Sequence, residues 1–193
     1  MHEHAKVLIF AGSVRKDSYN KKLASFAAKA AEAAGARVTL VDLKDFPMPL
    51  YDADLEFEQG MPEQAAGFKS LLLKHDGFII TSPEYNGSIT PLLKNVIDWA
   101  SRATHKDEPP LNAYKGKVAA ILSASPGGLG GLRALNVLRS LLNNLGVLVL
   151  PKQFALSRAN EAFDEDGTLS DEKHAQNIEQ VCQELVSLLN KIR

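Results

Sequence analysis

The chain has 193 residues, which is enough for one domain with a substantial core and too few for two large ones. Hydrophobic residues make up 45% of it, and 22 Lys plus Arg against 23 Asp plus Glu give a net charge of −1. This balance argues against a nucleic-acid partner or a polybasic contact with a membrane. The single cysteine, Cys182, excludes an internal disulfide and a cysteine-rich metal cluster.

The amino terminus and the apolar runs predict a cytoplasmic protein. Met1–His4 has no charged segment followed by an apolar one, as a signal peptide would have. No apolar run approaches the roughly 20 residues of a membrane span. The five histidines show no metal-binding spacing, so we expect no metal site and a solvated role for His2 and His4.

Short β-branched runs alternate with longer amphipathic segments, which is typical of a parallel α/β fold. The predicted strands are Lys6–Phe10, Arg37–Val41, Gly77–Thr81, Val118–Leu122 and Val147–Leu150. One helix is predicted to follow the first strand and end at Gly35, and the others are Glu63–Lys74, Thr90–Arg102, Leu132–Leu145 and about Asp171–Lys191. Five strands and five helices predict one doubly wound, three-layer domain over residues 1–193, with Cys182 as an inert thiol on a buried helix face.

Two irregular segments interrupt this alternation. Asp45–Pro62 contains three prolines with acidic residues between them, and Arg102–Gly116 contains Pro109-Pro110. Long loops in compact domains are usually functional or mobile, so each segment is a candidate for covering a ligand site.

The loop after the first strand, Gly12–Asn20, opens directly into a helix. A helix N-terminus presents free backbone N–H groups and the positive end of the helix dipole, which suits a phosphate. Ser13, Ser18 and Asn20 add side-chain donors, and the Arg15 guanidinium can bind phosphate bidentately. The alternative is that Ser18 or Asn20 only caps the helix and the rest is a polar turn.

Two further loops follow the third and fourth strands. Thr81–Pro91 predicts a tight turn at Asn86-Gly87 that aims backbone amides outward, or an ordinary turn beside a packed Tyr85. Ser123–Gly131 has four glycines in five positions, which permit a close backbone approach to a ligand or only give slack. In a sheet of order 2-1-3-4-5, ligands bind at the carboxyl ends of the strands, between the first and the third. The three loops therefore predict one ligand site.

These loops resemble those of the NADPH-dependent FMN reductase family, which includes bacterial quinone, chromate and azo-dye reductases. The motifs are Gly-Ser-x-Arg-x-x-Ser-x-Asn at Gly12–Asn20, Pro-Glu-Tyr-Asn-Gly-Ser at Pro83–Ser88, Leu-Lys-Asn-x-Ile-Asp-Trp at Leu93–Trp99 and Ser-x-Ser-Pro-Gly-Gly-x-Gly-Gly-x-Arg-Ala at Ser123–Ala134. The resemblance covers residues 6 to about 146. It implies a flavodoxin-like fold, FMN as the cofactor and NADPH or NADH as the co-substrate.

The resemblance also implies which residues bind the cofactor. The FMN phosphate and ribityl chain would be held by Ser13, Arg15, Ser18, Tyr19 and Asn20. The isoalloxazine would be lined by Pro83, Glu84, Tyr85, Asn86 and Gly87, and its other edge by the third loop, including Ser123, Ser125, Gly127 and Gly128.

The family further implies a homodimer or a homotetramer. Its interface candidates are Leu92, Trp99 and Leu138, and Leu92 and Trp99 lie on a helix that is apolar on more than one face. Pro47–Asp54 is similar to a loop that approaches the neighbouring subunit's flavin in relatives.

On this interpretation the cofactor does the chemistry, and no side chain is needed as an acid, base or nucleophile. NAD(P)H and a small-molecule acceptor (a quinone, free flavin, an azo compound or a metal oxyanion) would use one flavin face in turn, which predicts ping-pong kinetics. One alternative is a flavodoxin-type electron carrier without NAD(P)H activity, against which Arg15 and the net charge of −1 weigh. The other is a module that binds a different phosphorylated ligand.

Overall fold

The computed structural model describes residues 4–164 and 166–192, so the predictions for Met1–Glu3 lie outside the described residues. The strands are β1 (Lys6–Ala11), β2 (Arg37–Val41), β3 (Gly77–Thr81), β4 (Val118–Ala124), β5 (Leu148–Val149) and β6 (Phe154–Leu156). The helices are α1 (Tyr19–Ala33), α2 (Ala53–Gln59), α3 (Glu63–Lys74), α4 (Pro91–Ser101), α5 (Leu132–Asn144) and α6 (Glu172–Ile192), and one 3-10 turn covers Leu43–Asp45.

The strands form one sheet in the order β2-β1-β3-β4-β5, and each pairing is parallel. The predicted order is therefore confirmed. Strands β3 and β4 are buried along their whole length, which explains their continuous apolar sequence. Because β1, β3 and β4 are neighbours and parallel, the loops that follow them emerge side by side at the carboxyl edge of the sheet.

The structure adds a sixth strand to the five that were predicted. Both β5 and β6 pair with β4, one at its start and one at its end, so they are two pieces separated by residues 150–153. Pro151 has no backbone N–H and cannot continue the ladder. The Arg139 guanidinium fills the gap, with Nη1 donating to the Leu150 carbonyl at 2.7 Å and Nη2 to Gln153 Oε1 at 2.7 Å.

The sheet is covered on both faces. Helices α1 and α6 pack on one face through buried side chains such as Leu23, Ala27 and Leu185. Helices α3, α4 and α5 pack on the other through Phe68, Val96, Leu138 and their neighbours. The Cys182 thiol is buried against α1, on the helix face that the sequence predicted, and burial raises its pKa to about 12.

The first irregular segment, Asp45–Pro62, contains a helix that we did not predict. Asp52 caps α2, because its carboxylate accepts from the Asp54 and Leu55 backbone N–H groups, and Gly60 ends the helix at a positive φ. The preceding residues lie on α4. The Pro49 carbonyl accepts from both Asn95 Nδ2 and Trp99 Nε1, and the Tyr51 ring meets the Trp99 indole edge to face at 5.0 Å.

This contact corrects the predicted role of Trp99. The second apolar face of α4 is covered by Pro49 and Tyr51 of the same chain, and Trp99 is completely buried. Leu138 is also completely buried, in the core beneath α5. Neither side chain has surface left for a subunit interface, and Leu92 is half-buried.

The second irregular segment, Arg102–Gly116, is held on α3 by a buried ion pair between Lys69 and Glu108. Glu108 Oε2 also accepts from the backbone N–H and hydroxyl of Thr104. Burial alone would raise the pKa of Glu108, but Lys69 and the two Thr104 donors outweigh it and lower that pKa to about 2. Within the part of the chain that the structure describes, no helix is long and apolar enough to cross a membrane.

Candidate functional site

The first loop presents an open helix N-terminus. Ser18 occupies the N-cap position of α1, but its side chain makes no capping hydrogen bond, and the first turn contains no acidic residue. Among the described residues, the backbone N–H groups of Tyr19 and Asn20 donate to no other group. The Arg15 guanidinium lies 5.5 Å from the centre of the Tyr19 ring. The first turn of α1 therefore combines free donors with a nearby positive charge.

Asn20 ties the first loop to the third. Its Nδ2 donates to the Ala124 carbonyl at 2.8 Å, and its Oδ1 accepts from the Ala124 N–H at 3.0 Å. The Thr81 hydroxyl donates to the Asn20 carbonyl at 2.8 Å, so β3 is fixed to the same point. Neither Ser18 nor Asn20 caps α1 with its side chain. The side-chain oxygen and nitrogen of Asn20 are both used in hydrogen bonds to the Ala124 backbone.

The second loop folds into a two-residue hairpin. Tyr85 and Ser88 exchange both backbone hydrogen bonds, at 2.9 and 3.0 Å. Asn86 and Gly87 have φ of 53° and 81°, which a type I′ turn requires and which these residue types accept. The Tyr85 side chain is 56% exposed beside the turn. The predicted tight turn is confirmed.

Glu84 has a role that the sequence did not indicate. Its carboxylate accepts from Arg133 Nε at 2.6 Å and from the backbone N–H groups of Arg133 and Ala134 at 3.1 and 3.4 Å. It therefore caps α5, whose own N-cap residue, Gly131, has no side chain. The family resemblance places Glu84 along the isoalloxazine, and in this structure its carboxylate is bound to the start of α5.

The four glycines of the third loop fall into two pairs. A Cβ at Gly131 would overlap the Ser123 hydroxyl, and one at Gly130 would lie 2.7 Å from the Ala155 backbone. A Cβ at Gly127 would meet only Ser125 Oγ, at 3.7 Å, and one at Gly128 would meet nothing within 4 Å. The fold itself thus requires glycine at 130 and 131 and leaves 127 and 128 unconstrained.

One cavity of about 180 Å³ joins the three loops. Nine predicted site residues line it, together with Ala124 and Pro126: Ser13, Arg15, Ser18, Tyr19, Asn20, Pro83, Glu84, Tyr85 and Ser125. The other five do not line it. Ser123 is fully buried beneath it, with its hydroxyl donating to the Ser82 carbonyl, and Asn86, Gly87, Gly127 and Gly128 lie outside.

The lining is polar but contains no arrangement for acid–base or nucleophilic catalysis. Its only carboxylate, Glu84, is bound to α5, and its only cation is Arg15. No residue of Asp45–Pro62 or Arg102–Gly116 lines it, because these segments pack on α4 and α3 instead. A cavity of this kind can bind an anion and orient it.

The fold and the position of this cavity define a flavodoxin-like protein. A sequence model of the NADPH-dependent FMN reductase family matches residues 5–161. The chain is 37% identical to an NAD(P)H-dependent FMN reductase of Pseudomonas aeruginosa, over the full length of both. It is also 37% identical to a quinone reductase of Escherichia coli, over 79% of this chain and 77% of the relative.

A solved structure agrees with these relatives. FerB, a flavoenzyme NAD(P)H:(acceptor) oxidoreductase from Paracoccus denitrificans, superposes with a TM-score of 0.82 at 31% identity, over 97% of this chain and 98% of that one. The chain therefore belongs to the NADPH-dependent FMN reductase family. It is an FMN-dependent enzyme that oxidises NAD(P)H.

Proposed function

We propose that FMN binds in the cavity with its phosphate on the first turn of α1. Ser13, Ser18 and the free N–H groups at the start of α1 donate to the phosphate, and Arg15 supplies the positive charge. The uncapped N-terminus is the observation that supports this assignment most directly.

A comparison of helix starts favours α1 over its neighbours. Three helices follow the three loops, and two of them already have side-chain caps. The Thr90 hydroxyl accepts from the Leu93 N–H at the start of α4, and Glu84 places a carboxylate at the start of α5. A phosphate at α5 would face that carboxylate, whereas α1 has neither a cap nor an acidic residue in its first turn.

The isoalloxazine then extends from the cavity between the second and third loops. Pro83–Gly87 lines one side, with exposed Tyr85 as aromatic cover, and the Ser125–Gly128 backbone lines the other. The absence of Cβ atoms at Gly127 and Gly128 fits a close approach of the ring, since the surrounding protein does not require glycine there.

FMN, when bound, supplies the redox chemistry, accepting hydride equivalents from the nicotinamide and releasing them to an acceptor. The residues of this chain bind and orient it, and none is assigned as an acid or base. We propose a quinone or a free flavin as the acceptor, supported by the quinone reductase and FMN reductase relatives. Tyr85 is exposed beside the site, and we propose that both substrates use the same flavin face in turn.

We propose further that the chain is one FMN-binding domain that works in the cytoplasm as a homodimer or homotetramer. Since Trp99 and Leu138 are buried, the interface uses other apolar surface. Leu50 and Phe57 are 75% and 92% exposed on the segment that packs over α4. Two large apolar side chains exposed on one short segment favour a protein contact there.

Arg15→Ala tests the phosphate assignment. A hydrogen bond to a charged group contributes about 1.5–3 kcal/mol, so FMN affinity should fall by about one to two orders of magnitude. Fluorescence titration of the apo-protein with FMN measures this. Lys16→Ala is the matched control, because Lys16 is exposed, carries the same charge and does not line the cavity. Equal dissociation constants for the two variants would remove Arg15 from the site.

A further inference from the structure

Glu84 joins two of the three loops at a single point. It lies on the second loop, and the N–H groups that it binds belong to the first turn of α5, directly after the third loop. Its side chain is only 9% exposed, whereas its partner Arg133 is 64% exposed. The carboxylate is therefore held mainly in the protein, and the ion pair closes over it from the solvent side.

The third loop depends on contacts at its two ends. At its start, the Ser123 hydroxyl donates to the Ser82 carbonyl at 2.7 Å, and the Ser125 N–H donates to the Leu156 carbonyl at 3.0 Å. At its end, Gly130 packs against the β6 backbone and Gly131 lies between Ser123 and the Cβ of Glu84. The middle of the loop, residues 126–129, is exposed.

The capping bonds give Glu84 control over the end of this loop. A helix start without a cap leaves its N–H groups unsatisfied and frays. Gly131 has no side chain, so it cannot cap α5 itself. The turn before α5 is otherwise held by the contact of Gly130 with β6 and by the Leu132 N–H, which donates to the Leu129 carbonyl at 3.0 Å. Fixing the first turn of α5 to the second loop fixes the distance between the two loops.

We infer that Glu84 is a positioning residue for the flavin site. Its carboxylate acts through the N-terminus of α5 to hold the third loop against the second, and it does not contact the cofactor. The backbones of the two loops contact the ring, and the Glu84 carboxylate stays bound to the start of α5 and to Arg133. This inference rests on the proposed binding of FMN between these loops.

The experiment compares Glu84→Ala, Glu84→Gln and Arg133→Ala in the full chain. Hydrogen exchange of the apo-protein should be faster at the Arg133 and Ala134 amides in Glu84→Ala and unchanged in the core strands β3 and β4. The dissociation constant for FMN should rise about tenfold or more, because FMN binding would then also have to order the start of α5 that the lost capping bonds had held.

Arg133→Ala is the matched control, because it removes the ion pair and leaves the carboxylate free to cap α5. Its effect on exchange and on FMN affinity should be smaller. Glu84→Gln keeps an oxygen acceptor and should fall between the wild type and Glu84→Ala, and it carries the test if Glu84→Ala does not fold.

Two results would overturn the inference. One is an unchanged dissociation constant for FMN in Glu84→Ala. The other is weaker FMN binding without faster exchange at Arg133 and Ala134, because Glu84 would then act by direct contact with the flavin. Failure of the wild-type protein to bind FMN would instead contradict the proposed function, and the exchange measurement would still report on the capping contact.

Discussion

The side chains predicted to bind the cofactor are of two kinds, which differ in what their polar atoms do. Arg15, Ser13 and Ser18 have polar groups left for a ligand, whereas Asn20 and Glu84 use theirs to join loops. The motifs predicted one common site for these five residues, and the structure places all five in the lining of one cavity. The sequence could not separate the two kinds, because the partners of Asn20 and Glu84 lie 104 and about 50 positions away along the chain.

The glycines were also only half predictable. The density of glycines predicted close approaches of other groups to this backbone. Two of the four glycines are approached by the protein itself, and two are not. Gly130 and Gly131 are required by contacts with β6 and Ser123, whereas Gly127 and Gly128 face open space. No local pattern distinguishes these pairs, because the neighbours of Gly130 follow β5 in the chain.

This division makes Gly127→Val a clean test of the ring position. The protein has room for the side chain, so the fold should persist. A ring that approaches the backbone there would meet the new side chain, and flavin content and turnover should fall severalfold or more. Absorbance per mole of purified protein and NADPH turnover measure both.

Gly67→Val is the control, since a Cβ at Gly67 would meet only the Phe46 ring, at 3.9 Å, away from the cavity. Normal flavin content and turnover in Gly127→Val would show that the glycines of the third loop only make it flexible and that the ring does not approach them. Gly131→Ala should instead destabilise the fold with or without FMN.

At the scale of elements, the periodic segments were predicted well and the interrupted ones were not. Strands β2 and β3 and helix α3 have the predicted bounds. The sixth strand was missed because the Arg139 contacts that bridge the break after β5 lie outside any local pattern. Helix α2 had local signals, Asp52 before it and Gly60 after it, which the prolines around them obscured.

The sequence correctly predicted that α4 is buried on two sides. It predicted a neighbouring subunit on the second side, where the structure has a segment of the same chain. A sequence shows that a helix is buried on two sides without showing by what, and here Tyr51 and Pro49 of the same chain supply the cover. The exposed apolar side chains that we propose for assembly therefore lie on α2 and in the residues before it.

Phe57→Glu tests this assignment. A charge at the centre of an apolar contact is costly to bury, so the dimer should dissociate at least tenfold more readily. Light scattering over a dilution series measures the change. Leu148→Glu, which places the same charge on β5, should leave assembly intact. A monomeric wild type would contradict assembly, and a dimeric Phe57→Glu protein would exclude this surface.

At the scale of the whole molecule, the sheet order explains why the site is where it is. The register of β1, β3 and β4 brings three loops to one edge, and Asn20, Ser123 and Glu84 hold them together there. The helices and the two long segments complete the core on either side. The position of the site therefore follows from topology, and its chemistry follows from the loops.

The central claim is that FMN held by these loops takes electrons from NAD(P)H and gives them to a small acceptor. Anaerobic addition of NADPH to the FMN-loaded protein, followed by a quinone, tests it most directly. We predict that the yellow flavin absorbance is lost within seconds to minutes and returns when the quinone is added. A protein that binds FMN and stays yellow with both NADPH and NADH would contradict the account and would indicate an electron carrier.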